Sequence, residues 1–529
     1  MSSRPIAFTT APREPLELSL AAVLLDAGDD VAIAKRMLAP GTVLLPPAGG
    51  SVRLQQAVPA AHKFAVRALR PSEPVRRYGQ VIGFATCEIA PGEHVHSHNL
   101  AVGEAEIQLD YAIGSDYRPV ELVPEADRRT FLGFRRIDGR VGTRNYVAVL
   151  ASVNCSSSAT RQVVETIRAS GELSRFPNVD DVIALPTKGG CGAHYGSPDV
   201  AQLQRTLGGI VDHPNVAAYV LLSLGCEVNQ PDELIEVAGL ARGGATPPVL
   251  TIQQDGGFHR TVEAGVDAVR RLLPLANEAV REAVPASELV LALQCGGSDS
   301  WSGVTANPAL GYAADEIVRQ GGTVVLGETT EIYGAEHLLT RRARSADVAE
   351  RLLERIRWWE RYAAMFDASI DNNPTPGNKS GGLTTIYEKS LGAVAKAGST
   401  PLNDVVGYAE RIVQRGFVHM DTPGYDPVSV TGQVAGGCNI VAFTTGRGSC
   451  FGFKPAPSLK IASNSDLYAA QAPDMDVDAG RILEGATVEQ VGEEVFEELL
   501  AVASGKPTKS ELAGVGEEEF NPWIIGVTL

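Results

Sequence analysis

Residues 146–191 read YVAVLASVNCSSSATRQVVETIRASGELSRFPNVDDVIALPTKGGC. An apolar run of strand length opens the stretch, a segment with helical spacing at Thr160–Ser170 follows, and a second apolar run, DVIALP, comes next. The same grammar continues through AAYVLLSLG (217–225), PPVLTIQQ (247–254) and the helical segment Val262–Leu273. Strands alternating with helices predict βαβ units and a mostly parallel sheet.

On the N-terminal side the grammar changes. Residues up to about Gly114 hold short strand-like pieces rich in Pro and Gly, such as HKFAVRAL (62–69), VIGFATCEIA (81–90) and EHVHSHNLAV (93–102). These predict a small β-barrel or clip. Asp116–Arg129 is polar, charged and Pro-containing, as a linker would be. On the C-terminal side a boundary is expected near Val284. Beyond it come strands at Leu289–Leu293, Thr323–Leu326, Asn439–Thr444 and Leu459–Ala462, and a charged helix from Ala346 to about Phe366. The expected fold is multidomain α/β: a β-clip over 14–115, a linker over 116–130, and two α/β domains with mostly parallel sheets over 131–284 and 285–529.

A chain of 529 residues is too long for one core. A net charge of −17 argues against nucleic acid and anionic membranes as partners, because phosphate binding needs a basic surface. No run of eighteen apolar residues predicts a membrane span, and the start, MSSRPIAFTTAPREP, has no secretory pattern. Seven cysteines in this length do not make a disulfide framework. The cytoplasm is the expected compartment, and a homo-oligomer, most simply a dimer, the expected assembly.

Four cysteines close predicted strands: Cys155, Cys191, Cys226 and Cys295. Carboxyl ends of parallel strands line the crevice where ligands bind, so these thiols are expected at such edges. Thiolates suit iron, iron–sulfur clusters or zinc, while free cysteines also commonly fill cores. No CxxC spacing marks a zinc ribbon.

In GEHVHSHN (92–99), His94, His96 and His98 alternate with Val95 and Ser97. On a strand the three imidazoles would share one face. Together with His62 they are candidates to hold a divalent ion or to act as a base; a solvated polar face is the plain alternative.

Three Gly-rich polar loops complete the picture. CGGSDSWSG (295–303) carries Ser298 and Asp299, NPTPGNKSGG (373–382) carries Asn378 and Lys379, and FTTGRGSCFG (443–452) places Arg447 between Gly446 and Gly448. An Arg fork grips a carboxylate with two parallel hydrogen bonds. The last loop spaces its glycines as GxGxxxG, one residue too long for a dinucleotide fingerprint.

These residues carry a resemblance. HKFA, YGQVIGFA (78–85) and GEHVHSHN resemble the SAF-type β-clip of the altronate/galactarate dehydratase family. DGRVGTRNYVAVL (138–150), LGCEVNQ (224–230), LQCGGSDSWSGVTANPALG (293–311), GGTVVLGETTEIYGAE (321–336), PTPGNKSGGLTTIYEKSLG (374–392), TTGRGS with LKIASNS (459–465), and IIGVTL (524–529) are similar to its other two domains. The likeness runs from about residue 14 to the end. One departure stands at LPTKGGC, where the family usually carries a His and this chain has Thr187 and Lys188.

The resemblance implies dehydration of a sugar acid to its 2-keto-3-deoxy acid, with ferrous iron or another divalent metal, or an iron–sulfur cluster. On that reading His62, His98, Asp299, Lys379 and Arg447 are catalytic. Ser298, Asn378, Thr445, Gly446 and Asn464 bind substrate, and His94, His96, Cys155, Cys191, Cys226 and Cys295 bind metal. Arg447 and Lys379 hold the carboxylate, and His62, His94 or His96 serves as base or ligand. The alternatives are a C–S lyase releasing sulfite from sulfolactate, and a ligand-binding scaffold without turnover.

Overall fold

The computed structural model describes residues 11–12, 14–47, 49–103, 109–241 and 246–526, so the last three residues of IIGVTL lie outside it. Up to Ala101 the chain forms short strands in three small sheets. One of these runs Ala22–Val23, Val31–Ala34, Lys63–Ala65, His94–Val95, each pair antiparallel. Among the described residues the only helix there is the single turn Leu18–Ala21.

Residues 116–129 are irregular apart from a 3-10 turn at Glu125–Asp127. They lie against the C-terminal part, with the Asp116 and Val123 N–H groups donating to the carbonyls of Arg341 and Arg319. The segment around Val284, expected as a boundary, is a strand: Glu282–Pro285 pairs antiparallel with Thr130–Arg135.

The quoted stretch supplies the first two strands of a four-stranded parallel sheet in the order Asp181–Leu185, Tyr146–Ala151, Val216–Ser223, Val249–Thr251. Side chains alternate across it, as the period of two requires. Val147 and Val149 pack with Val163 and Ile167 of helix Ser157–Ser170 and Val269 of helix Phe258–Ala276. Tyr146, Ala148 and Leu150 face a second core shared with helices Pro198–Val211 and Asp426–Ala435.

A seven-stranded sheet follows, in the order Leu402–Val406, Gly416–Met420, Thr323–Leu326, Val290–Cys295, Ile440–Thr445, Ser458–Ala462, Val477–Asp478, and every pair in it is parallel. Its largest core includes Leu291, Leu293, Val324 and Phe417 and continues into Val31, Ala65 and Val75 of the N-terminal part. The helix expected from Ala346 spans Ala346–Ala364, and Ser345 caps it by accepting from the Val348 N–H. Among the described residues no helix is long and apolar enough to cross a membrane.

Two expectations need correction. The strand bearing the histidines stops at Val95, and His96–Asn99 form a turn. Asn99 makes that turn: its Oδ1 accepts from the His96 N–H at 2.9 Å and its Nδ2 donates to the His94 carbonyl at 3.0 Å. The cysteines do not share one edge. Cys155, Cys191 and Cys226 follow adjacent strands of the four-stranded sheet, whereas Cys295 ends a strand of the seven-stranded one.

Candidate active site

Strand order in the seven-stranded sheet reverses beside Val290–Cys295, which has Thr323–Leu326 on one side and Ile440–Thr445 on the other. A crevice is expected where the loops after such strands diverge. There lie the loops carrying Gly297–Asp299 and Gly446–Gly448. They are tied together, because the N–H groups of Gly446 and Arg447 both donate to the Gly297 carbonyl, at 3.1 and 2.8 Å. A cleft of about 760 Å³ opens here between the two parts of the chain. Asp299, Ser380, Gly381, Gly446, Arg447 and Asn464 form one wall, and Lys35, Arg36 and Ala61 of the N-terminal part form the other.

Asp299 is buried and fastens two loops. Its Oδ1 accepts from Ser302 N–H (2.8 Å), Ser302 Oγ (2.9 Å) and Ser463 Oγ (2.8 Å), and its Oδ2 from Asn464 Nδ2 (3.2 Å). Burial raises its pKa, and these hydrogen bonds oppose the rise. Gly446 passes so close that a Cβ there would stand 2.1 Å from Asp299 Cγ.

Asn378 is committed to the scaffold. Its Oδ1 accepts from Thr375 N–H and Oγ in a capping box, and its Nδ2 donates to the Ser298 carbonyl at 2.8 Å. Thr445 Oγ likewise accepts from the Gly448 N–H, and Thr445 is buried. The Asn378 side chain is thus taken up by the scaffold, and the Thr445 hydroxyl oxygen by the 445–448 turn. Ser298 Oγ is buried with no hydrogen-bond partner among the described residues.

The turn 379–381 is where the expected groups converge. His96 Nε2 donates to the Lys379 carbonyl (2.9 Å) and His62 Nε2 to the Ser380 carbonyl (3.3 Å). On Gly381 a Cβ would stand 2.9 Å from Asp299 Cβ and 3.3 Å from Arg447 Cδ, so the Arg447 stem lies over the same turn. Among the described residues, neither the Lys379 ammonium nor the Arg447 guanidinium has a hydrogen-bonding or ion-pair partner.

The carbonyls also set the imidazole tautomers. Since a carbonyl only accepts, His62 carries its proton on Nε2, which leaves Nδ1 as an acceptor. His94 Nε2 therefore donates to His62 Nδ1 across 3.0 Å, and the lone pair of His94 sits on Nδ1. Burial and the neighbouring imidazoles push His94 down to about 3, and burial chiefly pushes His62 down to about 4. Both rings are neutral at pH 7. His98 joins only by its ring, 5.5 Å from that of His94.

Sequence-family models match residues 20–103 (Altronate/galactarate dehydratase SAF domain), 133–277 (D-galactarate dehydratase/Altronate hydrolase, second domain) and 286–528 (D-galactarate/Altronate dehydratase, C-terminal). The chain is 38% identical to the galactarate dehydratase (L-threo-forming) of Escherichia coli over 89% of its own length and 91% of that protein's. The chain belongs to the D-galactarate/altronate dehydratase family. It is 34% identical to the altronate dehydratase of Bacillus subtilis, covering 91% of this chain and 94% of that one. It is also 34% identical to the (2R)-sulfolactate sulfo-lyase subunit beta of Chromohalobacter salexigens, over 75% of this chain and 97% of that one. This dehydratase is an enzyme of the hydro-lyase class and acts on a sugar acid.

A three-histidine metal site does not fit the dehydratase as it stands. His62 and His96 have both ring nitrogens engaged, so of the three rings hydrogen-bonded in this cluster only His94 offers a lone pair. The cysteines of the second domain offer a different set of donors. Cys155, Cys191 and Cys226 are unpaired and exposed, on loops joined by hydrogen bonds from Asn154 N–H to the Gly189 carbonyl and from Val228 N–H to the Gly190 carbonyl. Thiolates are the donors iron and iron–sulfur clusters take.

Periodicity gave no sign of two buried charge clusters in the dehydratase. Glu388 pairs with Lys63 and Arg77, all three fully buried, and Arg77 also donates to Ser300 Oγ at 2.9 Å. Burial works against the charge, yet Lys63 and Arg77 hold Glu388 down at about 2. The second cluster surrounds Cys295 with Glu328, Glu331, Lys389 and Lys396. The readable signal was IYEKSLGAV, an apolar helix with a charged pair inside it.

Proposed function

We propose that the chain removes water from a sugar acid to give the 2-keto-3-deoxy acid, by loss of the C2 proton and then the C3 hydroxyl. The observation that carries this reading is the 379–381 turn, where two unpaired cations and a chain of neutral imidazoles meet. Arg447 and Lys379 bind the substrate carboxylate, and the negative charge that develops as C2 loses its proton spreads into that group. Stabilising such charge in the transition state contributes several kcal/mol, about 2.7–4 for one well-placed donor.

His94 Nδ1 is the base. The imidazolium it forms donates through Nε2 to His62, whose own N–H is held by the Ser380 carbonyl, so the ring keeps its orientation as it charges. An anionic substrate beside it offsets the burial that keeps His94 low. Cys155, Cys191 and Cys226 would hold an iron centre, which when bound supplies Lewis acidity toward a leaving hydroxyl.

The likeness to a sulfolactate sulfo-lyase subunit supports a second reading, loss of sulfite in place of water. The test is incubation of anaerobically purified protein with galactarate, altronate and sulfolactate. Keto-acid formation from a sugar acid without sulfite supports dehydration. Sulfite from sulfolactate alone selects the second reading, and no turnover on any of the three defeats both.

A further inference from the structure

Cys295 closes strand Val290–Cys295, and Lys396 lies in the turn Ala395–Ala397 after helix Ile386–Val394; both are fully buried. Lys396 Nζ stands 2.7 Å from Cys295 Sγ. Sulfur is larger than oxygen, and another N–H···S contact, Gln253 Nε2 to Cys226 Sγ, measures 3.3 Å. The closer pair has a carboxylate beside it. Glu328 Oε2 is 3.2 Å from Lys396 Nζ and 3.8 Å from Cys295 Sγ. The other carboxylate oxygen, Oε1, is buried with no hydrogen-bond partner among the described residues, and the Glu328 backbone is left-handed at φ 60°. The ligand atoms of Cys295, Glu328 and Glu331 lie within 4.8 Å of one another, but an ammonium already occupies the sulfur's side of that group.

We propose that Cys295 and Lys396 are an oxidative modification site, at which dioxygen inserts one oxygen atom between Nζ and Sγ. An interposed oxygen spans this separation, whereas a direct N–S bond would require the two atoms to close further. The step balances as amine plus thiol plus dioxygen giving the N–O–S link and one water. The O–O, N–H and S–H bonds break, and one N–O and one S–O bond form. Nitrogen and sulfur each give up two electrons, dioxygen takes four, and the second oxygen leaves as water with the two hydrogens. Glu328 is placed to pass those protons, since its carboxylate touches both reacting atoms. Two equivalents of a dithiol reduce the link back to amine and thiol, its oxygen leaving as water.

The link would tie two parts of the site. The loop after Cys295 carries Gly297 and Asp299, and the helix before Lys396 carries Glu388, which holds Lys63 and Arg77 of the N-terminal domain.

The test uses the full chain purified in air and, in parallel, under strict anaerobiosis. Each sample is denatured, alkylated, cut with trypsin and analysed by mass spectrometry. The expected product in air is residues 282–319 joined to 390–411, uncut at Lys396 and heavier than the two peptides by one oxygen less two hydrogens. It should vanish after dithiothreitol, in the anaerobic sample and in Cys295→Ser. Complete alkylation of Cys295 in the air-exposed chain would overturn the proposal. So would Cys295 found as sulfinic acid with normal cleavage at Lys396. The wild-type comparison decides the matter even if the variant does not fold.

Discussion

His62 Nε2 lies 3.3 Å from the carbonyl oxygen of Ser380, a contact between groups 318 residues apart in sequence. That hydrogen bond, with its companion from His96 to Lys379, hangs the histidine cluster of the N-terminal domain on the turn that carries Lys379 and lies under the Arg447 stem. The domains are thus joined at the chemistry.

Replacing the proposed base should separate its role from that of its neighbours. His94→Ala is expected to lower kcat by roughly 100- to 10,000-fold, the usual range for a lost general base. Its KM for a sugar acid should change little. His62→Ala removes the ring that orients His94 and should cost less, with the acidic limb of the pH–rate profile displaced. A His94→Ala enzyme with unchanged kcat would rule out the assignment.

Arg447→Ala is expected to lower kcat/KM by roughly 100- to 1,000-fold, as loss of one donor to the charge developing in the transition state does. Arg447→Lys should recover little, because an ammonium cannot reproduce the two-pronged grip. Steady-state kinetics on both variants checks this. Full activity in the Lys variant would mean that the charge, and not the fork, is what matters.

Much of the fold was legible because the alternation of strand and helix in 146–191 is a local signal, and the observed helices Ser157–Ser170 and Phe258–Ala276 extend the expected segments by a few residues each. Grouping Asp299, Gly446, Arg447 and Asn464 was also legible, since parallel-strand loops gather at one edge. What local reading missed depends on distance. Asn378 looked like a ligand residue and is a cap, because one nearby Thr consumes its carbonyl. Cys295 resembled the other three cysteines until sheet membership separated it. Glu388 gave no hint of partners more than 300 residues away.

Glu388→Gln leaves two buried cations without their counter-charge and should destabilise the protein by about 3–5 kcal/mol. The pH dependence has a definite sign. Glu388 is depressed from 4.5 to about 2 in the folded chain, so its contribution is complete above 4.5 and is lost as pH falls toward about 2. Thermal melts between pH 6 and pH 3 should show the wild type losing its advantage over Glu388→Gln. Parallel melting curves across that range would contradict this account.

Gly446→Ala should disturb Asp299 without touching substrate directly, because the added Cβ would fall 2.1 Å from Asp299 Cγ. The carboxylate must move, releasing Ser463 and Asn464. Activity should fall sharply while the melting temperature changes less than in Glu388→Gln. A fully active alanine variant would show that the Asp299 anchor is dispensable.

Arg36 offers a way to tell which acids the cleft prefers. It lies on the N-terminal wall, exposed and without a partner among the described residues, while Arg447 lies on the opposite wall. A sugar diacid carries a carboxylate at each end, and a sugar monoacid carries one. If Arg447 takes the carboxylate beside the reacting carbons, Arg36 is positioned to meet the distal group of a diacid and only a hydroxyl of a monoacid. Exposure weakens such a contact, so Arg36→Ala should raise KM for galactarate by a modest factor, about 3- to 10-fold, in line with a charged hydrogen bond weakened by solvent. KM for altronate should stay nearly constant, and kcat for both should be preserved because the reacting end is untouched. Raising ionic strength should erode the galactarate effect, as screening of an exposed pair requires. Equal losses on the two substrates would instead mark Arg36 as a contributor to the general field of the cleft.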